Sequence, residues 1–415
     1  MTSSFRSLLK QTNFLKLWGS QLLSQITVNL LNFVLILKIF EMTGSTVAIS
    51  LFWFFWAIPA IFLGPFSGTL IDFWGTRNIL ILANLFQALV VLFYLPAKDF
   101  IWPIYSILFL YSLLNQFYLP AEAATMPGVV PKKLLPTANS LFLFTVYFSL
   151  VLGFGLAGPI VRLFGYRMPF IIGSILLILA AISVWSLPIE AFFKAKIRNK
   201  NLVFSEFIKK MTEGYNFIKS QPTVLFPLLL LVFSQIIISM LAVLSPALVV
   251  KILEMSLIRA SEILILPAGL GAMVGMFLTV RLLKKIRKRY LINAGLFLSS
   301  IVLFILVLAV PQLTGLAKII SQLVVGFLAG LGLSIFIIPT QTLLQEKTPI
   351  GLRGRVFGVL GFMITLSAVV PVLFAATVGE ILGELWMVLI LAIIIFILGI
   401  ISLKGENVVY RFYRS

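Results

Sequence analysis

Twelve long apolar stretches constrain the fold of this chain more than any other feature. A helix needs about 20 mostly apolar residues to cross the hydrocarbon core of a bilayer. Hydrophobic residues make up 61% of the chain and charged residues 11%. We therefore predict an all-α membrane protein with twelve transmembrane helices. The stretches cover residues 17–39, 46–71, 78–96, 101–125, 134–160, 168–188, 223–250, 258–282, 290–311, 315–340, 354–379 and 384–403.

The order of the stretches predicts two six-helix bundles joined by one longer loop. The N-terminal bundle covers residues 1–188, the cytoplasmic linker 189–222, the C-terminal bundle 223–403 and a cytoplasmic tail 404–415. Residues 204–211 of the linker are amphipathic. They form either a helix on the membrane surface or a solvated linker helix, and the sequence leaves both interpretations open.

Similar segments end the fourth and the tenth stretch. Phe-Tyr-Leu-Pro ends at Pro120 and Phe-Ile-Ile-Pro at Pro339, and each is followed by a short loop with a proline and two basic residues. The same feature at the same place in each half indicates a six-helix duplication. The two bundles are therefore predicted to be pseudo-symmetric.

Basic residues are distributed asymmetrically between the loops. With the N-terminus placed in the cytoplasm, 25 of the 32 Lys and Arg residues fall inside and six fall outside. Cytoplasmic loops of membrane proteins carry such an excess. We therefore predict an inner-membrane protein with both termini in the cytoplasm. The same rule accounts for the net charge of +19, so no nucleic-acid partner is expected.

The chain contains neither cysteine nor histidine. Disulfides, catalytic triads and imidazole metal ligands are thereby excluded. No phosphate-binding Walker loop is present, so direct use of ATP within this chain is not expected. We predict no cofactor, no metal site and no enzymatic activity. A proton carrier within a span has to be a carboxylate.

The loop between the second and third stretches reads Gly-Thr-Leu-Ile-Asp-Phe-Trp-Gly-Thr-Arg over residues 68–77. It resembles the signature loop of the major facilitator superfamily, Gly-x-Leu-x-Asp-(Arg/Lys)-x-Gly-x-(Arg/Lys). Phe73 stands where that signature has a basic residue. The matching residues are Gly68, Leu70, Asp72, Gly75 and Arg77.

Physical chemistry gives these residues roles that agree with the resemblance. Gly68 lets two helices approach closely and Gly75 permits a tight turn. The resemblance implies that Asp72 meets the start of the eleventh span, near Arg353 and Arg355, and closes a cytoplasmic gate. Without such a partner the segment is a plain charged turn.

Three further segments, 14–21, 63–68 and 352–358, resemble the branch of that superfamily that contains macrolide-efflux and enterobactin-exporter-like proteins. This resemblance implies efflux from the cytoplasm. Members often carry an acidic residue in the middle of the first span. The corresponding stretch here, residues 24–29, contains no carboxylate, so coupling through that position is not expected.

Polar side chains within the spans are candidates for a substrate cavity because they are costly in lipid. Asn29 and Asn32 lie three apart and share one helix face. They either line a cavity or form hydrogen bonds between helices. The candidates are Gln25, Asn29 and Asn32 in the first span, Asn115 and Gln116 in the fourth, and Gln235 in the seventh.

Two acidic residues are candidates for coupling. Glu122 in the fourth span either titrates or forms an ion pair with a basic residue such as Lys132 or Arg77. Glu262 lies one turn inside the eighth span, three residues after Arg259. For Glu262, a surface ion pair is the simpler interpretation.

These features together predict a monomeric secondary transporter with a central cavity. Its partners are an amphipathic small molecule, resembling a drug or siderophore, and the membrane lipids. Export by alternating access is driven by a proton or ion gradient. Two other classes stay open: a lipid or lysolipid flippase, marked by gradient-independent lipid movement, and a non-transporting receptor or scaffold. An Asp72→Asn variant that is expressed but does not export would exclude the receptor.

Overall fold

A computed structural model describes residues 2–97, 100–188, 200–367 and 370–404. For some of these residues it describes only the backbone: 2–4, 64–74, 132, 136, 200–208, 210, 350, 370 and 404.

All regular secondary structure in the described ranges is helical, which confirms the predicted fold class. Two short α-helices, α5 and α11, and several 3-10 or π turns lie between or extend the longer helices. The α-helices are α1 Thr2–Leu9, α2 Thr12–Thr43, α3 Thr46–Trp74, α4 Thr76–Leu92, α5 Tyr94–Ala97, α6 Ile101–Val129, α7 Leu135–Phe164, α8 Met168–Trp185, α9 Lys200–Ser220, α10 Pro222–Ala247, α11 Leu257–Ala260, α12 Leu266–Leu282, α13 Lys288–Phe304, α14 Gly315–Lys347, α15 Arg353–Ser367, α16 Val370–Leu382 and α17 Glu384–Lys404.

Eleven helical segments of the described chain are long and apolar enough to cross a membrane. The twelfth predicted span is α6, which has 29 residues and is therefore also long enough. Its apolar character is diluted by polar and tyrosine side chains, among them Tyr111, Asn115, Gln116 and Glu122. Helix α6, the predicted span that is not among the eleven, thus contains one of the two predicted coupling residues.

Two compact units divide the chain. The first contains Met1–Met42 and Phe54–Ser205, and the second contains Thr43–Trp53 and Glu206–Ser415. The boundaries fall inside helices α2, α3 and α9, although only Thr43, the last residue of α2, belongs to the second unit. Helices α3 and α9 have longer parts in both units. The predicted limits of the bundles stay a prediction.

Each unit has its own apolar core. In the first unit, Leu17, Leu80 and Ala121 bring α2, α4 and α6 together, and all three side chains are buried. In the second unit, α10, α13 and α17 contribute to one cluster that includes Leu244, Leu296 and Leu391. These cores fix the helices that carry the polar side chains described below.

Candidate functional site

A group of buried polar side chains lies among α2, α4 and α6 of the first unit. Ser20 and Ser24 are one turn apart on α2, and Asn84 and Gln87 are one turn apart on α4. Glu122 of α6 completes the group with 6% of its surface exposed. Residues three or four apart share a helix face, so each helix directs a short polar stripe inward.

Tyr118 links Glu122 to the other two helices. Its hydroxyl donates a hydrogen bond to Oε1 of Glu122 at 3.0 Å, within the same helix and one turn away. The Tyr118 hydroxyl also interacts with the side chains of Ser20 and Ser24. Asn84 Nδ2 in turn donates to Ser20 Oγ at 3.4 Å. A continuous polar path therefore runs from α6 through α2 to α4; we call these residues, with Gln87, the polar cluster.

Several amide atoms in and beside the polar cluster have no hydrogen-bond partner among the described residues. They are Oδ1 of Asn84, both amide atoms of Gln87, and Oε1 of the neighbouring Gln21. Gln21 uses its Nε2 to donate to the Phe142 carbonyl at 3.4 Å. An unbonded polar group in an apolar interior costs on the order of 1–3 kcal/mol. Membrane proteins retain such groups where water, an ion or a substrate meets them.

The ion pair considered for Glu122 is not found with Arg77. Arg77 Nη2 donates to the carbonyl of Trp185 at the end of α8, a favourable place for a cation because helix C-termini are negative. The Lys132 side chain lies outside the described residues. Within the described chain, the ion pairs do not include Glu122. Among the described residues, the Tyr118 hydroxyl donates a hydrogen bond to its carboxylate.

The polar residues predicted in the first span are placed differently from one another. Asn32 is buried and lines a narrow crevice with room for about one water molecule. Asn29 is half-buried, and its Nδ2 donates within the helix to the Gln25 carbonyl at 2.8 Å. The crevice is lined by Val28, Leu31, Asn32, Leu35, Trp56, Tyr94, Leu108 and Tyr111.

The remaining predicted cavity residues are partly buried, and two of them form a hydrogen bond within their own helix. Gln116 Nε2 donates to the Ser112 carbonyl at 3.2 Å, and Asn115 is adjacent. Gln235 Nε2 donates to Ser239 Oγ at 3.3 Å. The predicted coupling residue Glu262 lies in a π turn, Ser261–Ile265, and is also partly buried. The substrate and coupling roles of these residues stay predictions.

The signature loop is described in part. Gly75 has φ 78°, so the glycine is required by the turn before α4. The side chain of Asp72 and the surroundings of Gly68 lie outside the described residues. The contact of Asp72 with Arg353 and Arg355 therefore stays a prediction. Arg353 Nε donates to the carbonyls of Gln345 and Thr348 at 3.1 and 3.3 Å.

Arg355 forms an ion pair with Glu213 of α9, with Nη1 and Oε2 2.9 Å apart. Sequence reasoning did not identify Glu213, because nothing in the linker marks one acid as the partner of a residue about 140 positions later. It also missed Tyr118, Asn84 and Gln87. Their spacing was the available signal: Tyr118 is four residues before Glu122, and Asn84 and Gln87 are polar residues three apart within a span.

A polytopic helical protein with polar groups buried inside its spans has the architecture of a membrane transporter. The comparison with known families makes the class specific. The chain belongs to the Major Facilitator Superfamily, whose family model matches residues 17–372. It is therefore a multi-pass membrane transporter rather than an enzyme.

Curated relatives agree with this assignment. The chain is 26% identical over 381 residues to YfiS, an uncharacterized MFS-type transporter of Bacillus subtilis; the match covers 90% of this chain and 88% of YfiS. It is 30% identical over 128 residues to macrolide efflux protein A of Streptococcus pyogenes. That second match covers 29% of this chain and 31% of the efflux protein.

Solved structures show the same fold. A bacterial homologue of the iron transporter ferroportin, in an inward-facing state, matches with a TM-score of 0.73 at 13% identity. That match covers 94% of this chain and 98% of the homologue. The nucleoside transporter NupG matches with a TM-score of 0.67 at 12% identity, covering 94% of this chain and 98% of NupG. At these identities the likeness concerns the fold alone.

Proposed function

We propose that this protein is a secondary active transporter that exports an amphipathic small molecule, coupled to a proton or ion gradient through Glu122. The observation that carries the proposal is the polar cluster, which places a buried carboxylate among unbonded amides inside the first unit. A cluster of this kind lowers stability, and membrane proteins retain such groups mainly for function.

Glu122 is suited to coupling by its surroundings. A charged carboxylate in a low-dielectric interior needs a cation, a water molecule or several donors to stabilise it. Glu122 receives one described hydrogen bond, from Tyr118, and has no described ion-pair partner. Binding and release of a proton or cation at this carboxylate would therefore change the local energy strongly. That is the property required of a coupling residue.

Two further observations support the export of an amphipathic molecule. Part of the chain resembles macrolide efflux protein A, whose name describes efflux. The crevice beside Asn32 has room for only about one water molecule in this structure, but its lining of one amide with Trp56, Tyr94 and Tyr111 has the composition of a site for amphipathic ligands, which would need a wider opening in another state of the transporter. The proposal includes an inner-membrane location with cytoplasmic termini and a monomeric state, both argued from the sequence.

Transport into inside-out vesicles tests the proposal. A panel of fluorescent amphipathic compounds is offered with and without an imposed proton or sodium gradient, to the wild type, Glu122→Gln and Glu254→Gln. Glu254 is an exposed acid outside the spans, so its variant controls for loss of one carboxylate. We expect gradient-driven accumulation in the wild type and in the control. In Glu122→Gln we expect accumulation to fall at least about tenfold, because an interaction with a charged group contributes about 1.5 kcal/mol or more, which is about tenfold in an equilibrium constant.

The other outcomes are decisive as well. Full accumulation by folded Glu122→Gln would return Glu122 to a structural role and contradict the coupling part of the proposal. Lipid movement without any gradient response would favour a flippase. No movement of any compound under either gradient, in vesicles that contain folded protein, would contradict export of this substrate class.

A further inference from the structure

The carboxylate of Glu380 lies at the beginning of helix α3. Glu380 is near the end of α16, and its Oε1 accepts three hydrogen bonds from consecutive residues at that point. Ser45 Oγ donates at 2.6 Å, Thr46 Oγ1 at 3.3 Å and the backbone N–H of Val47 at 3.1 Å. All four residues belong to the second compact unit.

This arrangement is a helix N-cap supplied from a distant part of the chain. The first N–H groups of a helix have no partner within it, and the N-terminus carries a partial positive charge. Ser45 satisfies one such group, since its Oγ accepts from the Ala48 N–H at 3.3 Å. Glu380 satisfies the N–H of Val47 and adds the negative charge that the helix terminus favours.

A second contact fixes the same helix end on α16. Thr46 is 1% exposed, and its single hydroxyl hydrogen is shared between the Glu380 carboxylate and the carbonyl of Ala376, whose oxygen lies 3.2 Å from Oγ1. Ala376 and Glu380 are four residues apart, so both lie on one face of α16. Ala376 and Glu380, one turn apart on α16, thus both hold the start of α3.

Helix α3 has residues in both compact units, so its attachment to α16 affects any movement of one unit against the other. Thr46–Trp74 is one helix, but Thr43–Trp53 groups with the second unit and Phe54 onward with the first. Alternating access requires the two halves of a transporter to move against each other. During that movement, α3 has to bend or release its first turn from α16.

Release is the easier of the two changes at this position. Glu380 and Ser45 are reached by solvent, so water can replace the hydrogen bonds that they lose. Bending inside the helix would interrupt backbone hydrogen bonds in lipid, where each unsatisfied group is costly. We infer that Glu380 is a positioning residue of the transport cycle, which holds the start of α3 in the state seen here and releases it when the transporter changes state.

A single introduced cysteine can measure this release, because the natural chain contains none. Ser50 lies one turn into α3 and is 1% exposed, so Ser50→Cys is a conservative reporter. The purified protein is labelled with a thiol-reactive maleimide in the Ser50→Cys background, alone and combined with Glu380→Ala, Glu380→Gln or Glu254→Ala. Glu254→Ala removes an exposed carboxylate that pairs with Lys318 and belongs to neither α3 nor α16.

We expect Glu380→Ala to raise the labelling rate roughly tenfold. The rate follows the population in which the start of α3 is released, and loss of a hydrogen bond to a charged group raises that population by about this factor. Glu380→Gln keeps the Oε1 acceptor and should label more slowly than Glu380→Ala. Glu254→Ala should label as the parent does. The thermal unfolding midpoints should stay close to one another, since a general loss of structure would also accelerate labelling.

Equal labelling rates for the parent and folded Glu380→Ala would overturn the inference. Should Glu380→Ala fail to fold, the pair Ser45→Ala and Thr46→Val removes the hydroxyl donors from the α3 side and tests the same contact. The inference depends on membership of the transporter family and not on the proposed substrate or on Glu122. Labelling needs no substrate, so its result is independent of the vesicle experiment.

Discussion

At the residue scale, buried polar side chains of this protein fall into two groups. Ser300 is fully buried and donates to the Ala392 carbonyl at 2.8 Å, so its polarity is satisfied and joins α13 to α17. Gln87 is also fully buried, but neither of its amide atoms has a partner among the described residues. The first arrangement stabilises the fold, whereas the second lowers stability and therefore points to function.

Substituting Gln87 by methionine tests whether this amide lowers stability and serves transport. Because the amide is buried without a partner, Gln87→Met should raise the free energy of unfolding by about 1–2 kcal/mol while lowering transport. Ser300→Ala is the matched control and should lower stability by about 0.6–1.5 kcal/mol, the range for a hydrogen bond within a membrane protein. Thermal unfolding in detergent and vesicle transport check both variants. A destabilised Gln87→Met would mean that the amide has a partner after all.

Residue roles could be predicted from the sequence only where the signal is local. Glu122 was identified because a carboxylate inside a span is costly wherever it lies. Tyr118 was overlooked although its spacing from Glu122 is a local signal. The contact of Glu380 with Val47 has no such signal, since 333 residues separate the two and only the packing of helices brings them together.

At the scale of elements, glycine decides how closely α12 and α14 pack. A Cβ atom added to Gly330 would lie 1.7 Å from the Ala268 carbonyl oxygen, and one added to Gly271 would lie 1.9 Å from that of Phe327. Such distances are far below van der Waals contact, so any side chain would force the helices apart. Small residues that allow backbones to approach are the usual means of association between helices in lipid.

A pair of glycine substitutions tests this packing. Gly330→Ala should lower stability by about 1–3 kcal/mol, the usual cost of overpacking a close interface. Gly361→Ala on α15 is the control, because its Cβ would meet nothing within 4 Å. Alanine is the better helix former, so this control should be neutral or stabilising by up to about 1 kcal/mol. If both variants unfolded at the same temperature, the close approach of α12 and α14 would be contradicted.

The spans themselves could be predicted well, because hydropathy over about 20 residues depends on the bilayer and not on tertiary contacts. Predicted span 46–71 corresponds to α3, Thr46–Trp74, and 315–340 to α14, Gly315–Lys347. The differences lie at the helix ends, which continue beyond the apolar core. The π turns at Leu248–Ile252 and Ser261–Ile265 could not be predicted, since they depend on local packing.

At the scale of the whole molecule, the chain passes between the compact units at the end of α2, within α3 and within the linker helix α9. The later part of α9 belongs to the second unit and packs on α15. Met211, Phe217 and Ile218 contribute to a cluster with Val356 and Leu360 of that helix. Arg355 adds its ion pair to Glu213. Over residues 211–218 the linker helix is thus packed on the second unit. The two interpretations of residues 204–211 stay open.

The closeness of α9 to α15 gives a test of how firmly the linker is held. A Cβ atom at Gly214 would lie 2.8 Å from the Arg355 carbonyl oxygen, so Gly214→Leu should push the helices apart. Overpacking of this kind costs about 1–3 kcal/mol, which corresponds to about fivefold to 150-fold faster cleavage within α9 by trypsin when cleavage follows local opening.

Glu213→Gln is the matched variant on the neighbouring residue. It removes an ion pair whose side chains are both more than one third exposed, a contact worth about 0.2–1 kcal/mol. Its cleavage should therefore accelerate less than about fivefold. The comparison of the two cleavage rates decides what holds α9 on α15. Much faster cleavage of Gly214→Leu indicates close packing of the helices, whereas much faster cleavage of Glu213→Gln indicates the ion pair. Equal, unaccelerated cleavage of both would show that α9 opens independently of α15.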